Sequence, residues 1–331
     1  MKIERCHRYC WAAFLIAAGS LTSQVVGQSV TMQWATVGDA GNAADSNGYG
    51  AVGHAYRIGK YEVTNAQYTE FLNAKAQNDA GGFGGGLYHF YHENNPTVYG
   101  ITRSGSLGSY SYTAVSGSEN NPVAYVNWLD AARFVNWMHN GKGSGDTESG
   151  VYDMSLTGIA RMTPDAAAKF RLPTADEWYK AAYYDPTKDG IGGYYDYPTQ
   201  SDTAPGNSSL TDPNQANFAP GYTGSSNPKV TAVGSFANSA SYYGTFDQGG
   251  NLYEWVNQTT DGGDAFAKGG GWAFGSDQML ASGYGNIGQY TLFGGENDHN
   301  GFRIVATEVP EPGVPAIACI VGLCGLFLRR R

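Results

Sequence analysis

The sequence predicts a single α+β domain with little regular secondary structure, and three observations carry that reading. Only 15% of the 331 residues are charged, while Gly (47) and Tyr (24) are abundant. Low charge with many aromatics excludes disorder, and the load of Gly, Asn and Ser demands many turns. Three segments have the grammar of amphipathic helices, separated by short strand-like runs and long Gly/Asn/Ser/Tyr stretches.

Taken in order, the first 28 residues read as a secretory signal. Lys2, Arg5 and Arg8 make a basic start, Trp11 to Ala18 a short apolar run, and Val25 and Gly27 precede a cut near Gln28. A membrane anchor is the alternative, but the run falls well short of the ~20 apolar residues that span a bilayer. Residues 29–54 form an N-terminal extension, and 55–308 the body of the domain. The body opens on a strand over 55–63. Thr64 and Gln67 then form a capping box, with Tyr68, Phe71 and Leu72 on one helical face. A second helix runs from Asn127 to His139, where Ala131, Phe134, Val135 and Met138 recur at helical spacing and Asn140-Gly141 supplies a stop. The third follows Arg171-Leu172-Pro173: Thr174 and Glu177 cap it, and Trp178, Ala181 and Ala182 turn to the core. Further strands are expected over 267–274 and 301–306. Segments 78–121, 140–160, 185–228 and 256–266 read as long loops, uncommon unless functional or pinned.

The C-terminus, 309–331, carries a second address. Val309-Pro310-Glu311-Pro312 breaks the chain, Val314 to Leu328 is almost wholly apolar, and Arg329, Arg330 and Arg331 close it. That apolar length is marginal for a full span, and the basic end would stay on the cytoplasmic side. The tail resembles the PEP-CTERM sorting signal of bacterial envelope proteins. The resemblance implies transient anchoring, removal by an exosortase-type membrane protease, and release to the cell surface or matrix; a plain transmembrane anchor is the alternative.

Charge excludes one class of partner. The full chain has 20 Lys+Arg and 29 Asp+Glu. Setting aside Lys2, Arg5, Arg8 and Glu4, and then the three terminal arginines and Glu311, leaves 14 basic against 27 acidic residues, a net of −13. Such a body is not expected to bind nucleic acid or anionic membrane through bulk electrostatics.

The body motifs, read together, resemble the formylglycine-generating enzyme family, also called the sulfatase-modifying factor domain. They are Gly59-Lys60-Tyr61-Glu62-Val63-Thr64-Asn65, Asn121-Pro122-Val123 with Val126-Asn127-Trp128, and Arg171-Leu172-Pro173-Thr174-Ala175-Asp176-Glu177-Trp178. Gly249-Gly250-Asn251-Leu252-Tyr253-Glu254-Trp255, Lys268-Gly269-Gly270-Gly271-Trp272 and Gly301-Phe302-Arg303 follow in the same order. The resemblance implies an α+β, formylglycine-generating-enzyme variant of the C-type-lectin fold, low in regular structure. Arg171, Glu177, Trp178, Trp255 and Arg303 are expected to be structural, Arg171 and Glu177 as a buried pair.

The cysteines set the chemistry apart. Active members of this family bind copper through two cysteines between the glycine-rich strand and the final Gly-Phe-Arg, a pairing suited to Cu(I). Here the four cysteines are Cys6, Cys10, Cys319 and Cys324, and the interval from Trp272 to Asn300 holds none. Copper is therefore not expected, and no catalytic residue is assigned. A branch that joins the domain to an iron-binding helical bundle is not expected, since this chain has no room for that bundle.

Calcium is the cofactor the resemblance implies. The matching positions are the Asp247 side chain, the Gly250 and Leu252 carbonyls and the Glu254 side chain, hard oxygen donors on one turn; the alternative is a turn whose Asp and Glu cap amides. A second family site would begin at Asn217 and Phe218, but lacks its acidic partner over 223–233. Trp272, Phe274, Tyr284, Tyr290, Phe293, Asp298 and His299 are candidates for a ligand surface recognising glycans or surface proteins. His89, His92 and Glu93 could ligate zinc, although a packed pair of histidines suits their Gly- and aromatic-rich setting better. Gly81 to Gly86 lacks the strand–loop–helix setting of a phosphate cradle, and no G-x-S-x-G elbow occurs. The expected function is that of an exported, non-catalytic ligand-binding or structural envelope protein. The alternatives are a formylglycine-generating oxidoreductase acting on protein cysteine, or another metal-dependent enzyme on this fold.

Overall fold

The computed structural model describes residues 31–80, 86–89, 91–92, 100–219, 229–259, 265–283 and 297–307. The leader, the tail, all four cysteines, Gly81–Gly85, Glu93, Tyr284, Tyr290 and Phe293 lie outside the described residues. Among the described residues no helix is long and apolar enough to cross a membrane.

The architecture is α+β. An antiparallel four-stranded sheet is ordered β1-β2-β11-β5, from Trp34–Val37, Tyr56–Gly59, Val305–Ala306 and Phe170–Arg171. A three-stranded sheet is ordered β10-β8-β9, from Asn300–Gly301, Tyr253–Thr259 and Ala265–Lys268, with β8 antiparallel to β9 and parallel to β10. Two hairpins complete the strands: β3 (Ile101–Ser104) with β4 (Ser111–Ala114), and β6 (Tyr184–Asp185) with β7 (Gly193–Tyr194).

Each main helix starts on a reciprocal cap. Thr64 and Gln67 open α1 (Asn65–Lys75), Asn127 and Asp130 open α2 (Trp128–His139), and Thr174 and Glu177 open α4 (Ala175–Tyr183). Such caps satisfy amides that a helix start leaves without partners. A short α3 spans Gly158–Arg161. The apolar faces of α1 and α2 meet in an aromatic core: Phe134 lies 5.5 Å from Phe71 and 5.3 Å from Phe302, ring to ring. Each such buried ring is worth about 1.5–3 kcal/mol relative to exposure.

The strand expectations needed shortening. The run over 55–63 is a strand only over Tyr56–Gly59; beyond it the Lys60 amide donates to the Gln33 carbonyl (2.8 Å) while its carbonyl accepts from the Phe246 amide (2.9 Å). The run over 267–274 is cut at Lys268, because Gly269 and Gly270 take positive φ (103° and 73°) and turn the chain. The run over 301–306 divides into β10 and β11, which belong to different sheets. Conversely, 78–121 contains the β3–β4 hairpin, and β8 and β9 extend into 256–266. The segment set apart as an extension, 29–54, contributes β1 to the main sheet.

Candidate functional site

The family-type turn before β8 is buried over 248–252. Asp247, Gly250 and Asn251 all have positive φ (58°, 82° and 57°), which curls the backbone tightly. A Cβ on Gly250 would meet the Asn217 carbonyl oxygen at 2.3 Å, so only glycine fits. Asn251 fastens the turn to its surroundings. Its Nδ2 donates to Glu62 Oε2 (3.0 Å), and its Oδ1 accepts from Thr231 N (3.0 Å) and Asn217 Nδ2 (3.2 Å).

Behind the turn lies a buried group of charges. Glu62, Glu254 and Arg303 are fully or almost fully buried. Arg303 Nε and one terminal nitrogen each donate to a separate Glu254 oxygen at 2.5 Å. Trp178 Nε1 adds a third bond to Glu254, at 2.7 Å. Burial, with the negative charges of Asp247 and Glu254, pushes the Glu62 carboxyl well above its usual range. Burial likewise pushes Asp247 up to about 6, opposed by the Gly234 amide (2.6 Å) and Arg303. Three carboxylates thus face a single guanidinium.

This donor set accommodates a cation in part. The excess of buried carboxyl groups over cations and the oxygen character of the ligands suit calcium. Glu254 has three of its roughly four acceptor positions committed to Arg303 and Trp178, leaving room for one contact from an ion. Among the described residues no group of three or more His, Cys, Asp or Glu side chains is placed to hold a metal by itself. Backbone oxygens would have to supply the balance. At the second family position, Asn217 serves as a staple, donating to the Lys229 carbonyl at 2.8 Å and to Asn251.

The remaining motif residues are in supporting positions. Arg171 pairs with Glu177 through both terminal nitrogens, one at 2.5 Å from Oε2, and His54 Nε2 lies 2.9 Å from Glu177 Oε1. Burial pushes Glu177 up, but the hydrogen bonds from Arg171 and His54 outweigh it and bring the carboxyl down to about 2. Trp255 is buried and donates to the Val126 carbonyl at 2.8 Å.

On one side of the β8 sheet, four of the candidate ligand residues come together at the surface. Trp272 Nε1 donates to the Asp298 carbonyl (3.0 Å), Phe274 packs edge-on against His299 (4.9 Å), and His299 Nδ1 lies 3.2 Å from Asp298 Oδ1. The turn at Gly269 and Gly270 aims Trp272 here, and its N–H donates to the Asn251 carbonyl (2.8 Å). Sequence reading missed Lys229, whose Nζ lies 2.9 Å from Asp298 Oδ2 and 5.0 Å above the Trp272 ring. Burial pushes Asp298 up, but bonds from His299 and Lys229 bring it down to about 2. The group therefore offers a fixed carboxylate, a cation, an imidazole and two partly exposed rings. Tyr284 and Tyr290 lie outside the described residues.

The two histidines considered for zinc are packed among rings. His89 stacks on Tyr125 (4.9 Å), and His92 stacks on Tyr88 (5.4 Å) with Nε2 3.2 Å from the Ala124 carbonyl. Burial lowers His89 to about 4.

Comparison with known proteins places this geometry. The profile of the sulfatase-modifying factor enzyme 1-like domain matches residues 14–308. Among solved structures, that of CarF superposes with a TM-score of 0.50 at 18% identity, over 84% of this chain and 99% of CarF. Treponema denticola variable protein 1 gives 0.48 at 20% identity, over 84% of this chain and 96% of its own. PvdO from Pseudomonas aeruginosa gives 0.44 at 14% identity, over 83% and 92%. No curated protein sequence matches the chain. At these identities the structural likeness concerns the fold.

Proposed function

The chain belongs to the family of sulfatase-modifying factor enzyme 1-like domains, with the formylglycine-generating-enzyme variant of the C-type-lectin fold, and on that premise we propose that it is a non-catalytic, exported member that binds a ligand at the cell envelope or in the extracellular matrix. The observation that carries the reading is the cysteine distribution. The interval from Trp272 to Asn300 holds no cysteine, and the four in the chain stand at 6, 10, 319 and 324. Soft thiolates are what select Cu(I), and the one thioether in that interval, Met279, does not replace two of them. Met279 is in any case buried.

The group formed by Trp272, Phe274, Asp298, His299 and Lys229 is our candidate for ligand contact. Aromatic faces beside fixed polar groups suit stacking on sugars or on peptide side chains of surface proteins. Calcium at Asp247 and Glu254 would serve as a structural ion that neutralises buried carboxylates. The leader and the tail support export, transient anchoring and removal of the tail by an exosortase-type protease.

Two measurements test the proposal. Copper(I) titration of the purified protein should give no tight stoichiometric binding; tight binding with turnover of a cysteine-containing peptide would overturn it. Binding to an envelope glycan fraction should weaken about tenfold in folded W272A, for a loss on the order of 1.4 kcal/mol. Equal binding by a folded W272A would remove this surface from consideration.

A further inference from the structure

Tyr179, on α4, is almost fully buried at the hub of a tyrosine cluster. Its ring centroid lies 4.7 Å from that of Tyr183, 5.5 Å from Tyr194 and 5.8 Å from Tyr49, and Tyr194 leads on to Tyr184 at 5.0 Å. Tyr49, Tyr194 and Tyr184 are partly exposed, so a path of rings runs from solvent to Tyr179. The phenol has a proton acceptor of its own. Tyr179 Oη donates to Asp45 Oδ2 at 2.6 Å and accepts from Asn47 Nδ2 at 2.8 Å. The segment carrying both partners is pinned, by Asn47 Nδ2 on the Ala281 carbonyl (2.8 Å) and by Gly50 N–H on Asp176 Oδ1 (2.9 Å). None of these residues belongs to the Trp272 surface.

A phenol that loses one electron becomes strongly acidic, so the electron leaves readily only where a base in hydrogen-bond contact takes the proton. A carboxylate is such a base at neutral pH, and a backbone carbonyl is not. In the cluster this singles out Tyr179, because Tyr194 donates to the Ala43 carbonyl (2.7 Å) and Tyr183 to the Met279 carbonyl (2.9 Å). The Lys268 ammonium, 5.5 Å from the Tyr179 ring centroid, opposes positive charge on that ring, so electron and proton have to leave together. Neighbouring rings at these spacings are in contact, which permits electron exchange along the path. Burial then keeps the oxidised ring from coupling with a tyrosyl of another molecule.

We propose that Tyr179 is a redox-active tyrosine, which yields one electron through the Tyr49 and Tyr194 rings to a one-electron oxidant in solution, such as a peroxyl radical, and persists as a neutral phenoxyl radical. The oxidant gains that electron. The Tyr179 O–H bond breaks, its proton ends on Asp45 Oδ2, and the phenoxyl oxygen keeps the hydrogen bond from Asn47. A one-electron reductant of the thiol or ascorbate class reverses the step, and the proton returns from Asp45.

The experiment oxidises the full chain with photo-oxidised ruthenium tris-bipyridine and follows the radicals by freeze-quench electron paramagnetic resonance. The parent should show a persistent tyrosyl signal with a coupling to an exchangeable proton that disappears in deuterated water. Y179F, which removes one oxygen, should lose most of that signal, whereas Y242F, at a more exposed ring, should keep it. D45N, which can still accept the hydrogen bond but is no base, should shorten its lifetime. Y49F/Y194F should slow its formation and leave the lifetime unchanged. A parent that gives only short-lived radicals and dityrosine cross-links overturns the proposal without reference to any variant. So does a persistent signal that survives in folded Y179F.

Discussion

Arg303 and Glu254 form a two-pronged ion pair with no solvent exposure of either side chain. The arginine's other donors reach the Gly59 carbonyl (3.0 Å) and the Phe246 carbonyl (2.8 Å). One side chain thus joins the end of β2, the turn before β8, and β8 itself. R303A leaves Glu254 buried without its cation, and removing one partner of such a pair costs about 3–5 kcal/mol. The urea midpoint should fall accordingly. The double variant E254L/R303M should recover only part of the loss, because Glu62 and Asp247 still lose their shared cation.

Glu177 gives a defined acid dependence. Its carboxyl is held near 2 in the folded state against 4.5 as the reference value. A depressed carboxylate contributes stability that is fully present above the unfolded value and is lost as pH falls from about 4.5 through about 2. That contribution is on the order of 3 kcal/mol. E177Q should therefore be less stable than the parent at pH 7, and the gap should close as pH approaches 2. A gap that is constant with pH would assign the loss to packing.

Calcium should act through Asp247. Added to chelator-treated protein at pH 7.5, it should raise the unfolding temperature, with about 2.7 kcal/mol gained at a hundred times its Kd. D247A loses the acceptor for Gly234 N–H and starts less stable, so the readout is the calcium-dependent increment, which should vanish. Magnesium, which demands tighter geometry and holds its water, should substitute poorly.

Gly250 tests the turn itself. G250A would place a Cβ against the Asn217 carbonyl at a φ of 82°. The expected cost is about 1–3 kcal/mol from backbone strain, read as a shift in the thermal midpoint. The calcium increment should shrink too, since the Gly250 carbonyl is one of its proposed donors.

Much of the scaffold could be read from local pattern, because caps and helical faces are local. Thr64–Gln67 and Thr174–Glu177 bound real helices, and Tyr68, Phe71, Leu72, Trp178 and Ala182 are all buried. What pattern missed depends on residues far apart. Lys229 reaches Trp272 and Asp298 across 43 and 69 positions, and no spacing rule announces such a pair. Strand limits failed for a related reason. Over 301–306 the run is apolar apart from Arg303, but Gly301 pairs with Glu254 while Val305 pairs with Ile58 and Arg171. Glu62 was legible and overlooked: a carboxylate in the otherwise apolar Tyr61–Val63 run signals a buried partner, here Asn251 and the Leu252 amide.

The order β1-β2-β11-β5 has a consequence for the timing of assembly. Synthesis delivers a chain from its N-terminus, so the hairpin of β1 and β2 is available early. The second edge of β2 then waits until residues 305–306 have emerged, some 250 positions later. Such long-range closure is slow, and an open strand edge invites association in the meantime. The domain therefore cannot complete its main sheet piecemeal during synthesis, and whatever shields that edge in the interval governs how much of the protein reaches its folded form.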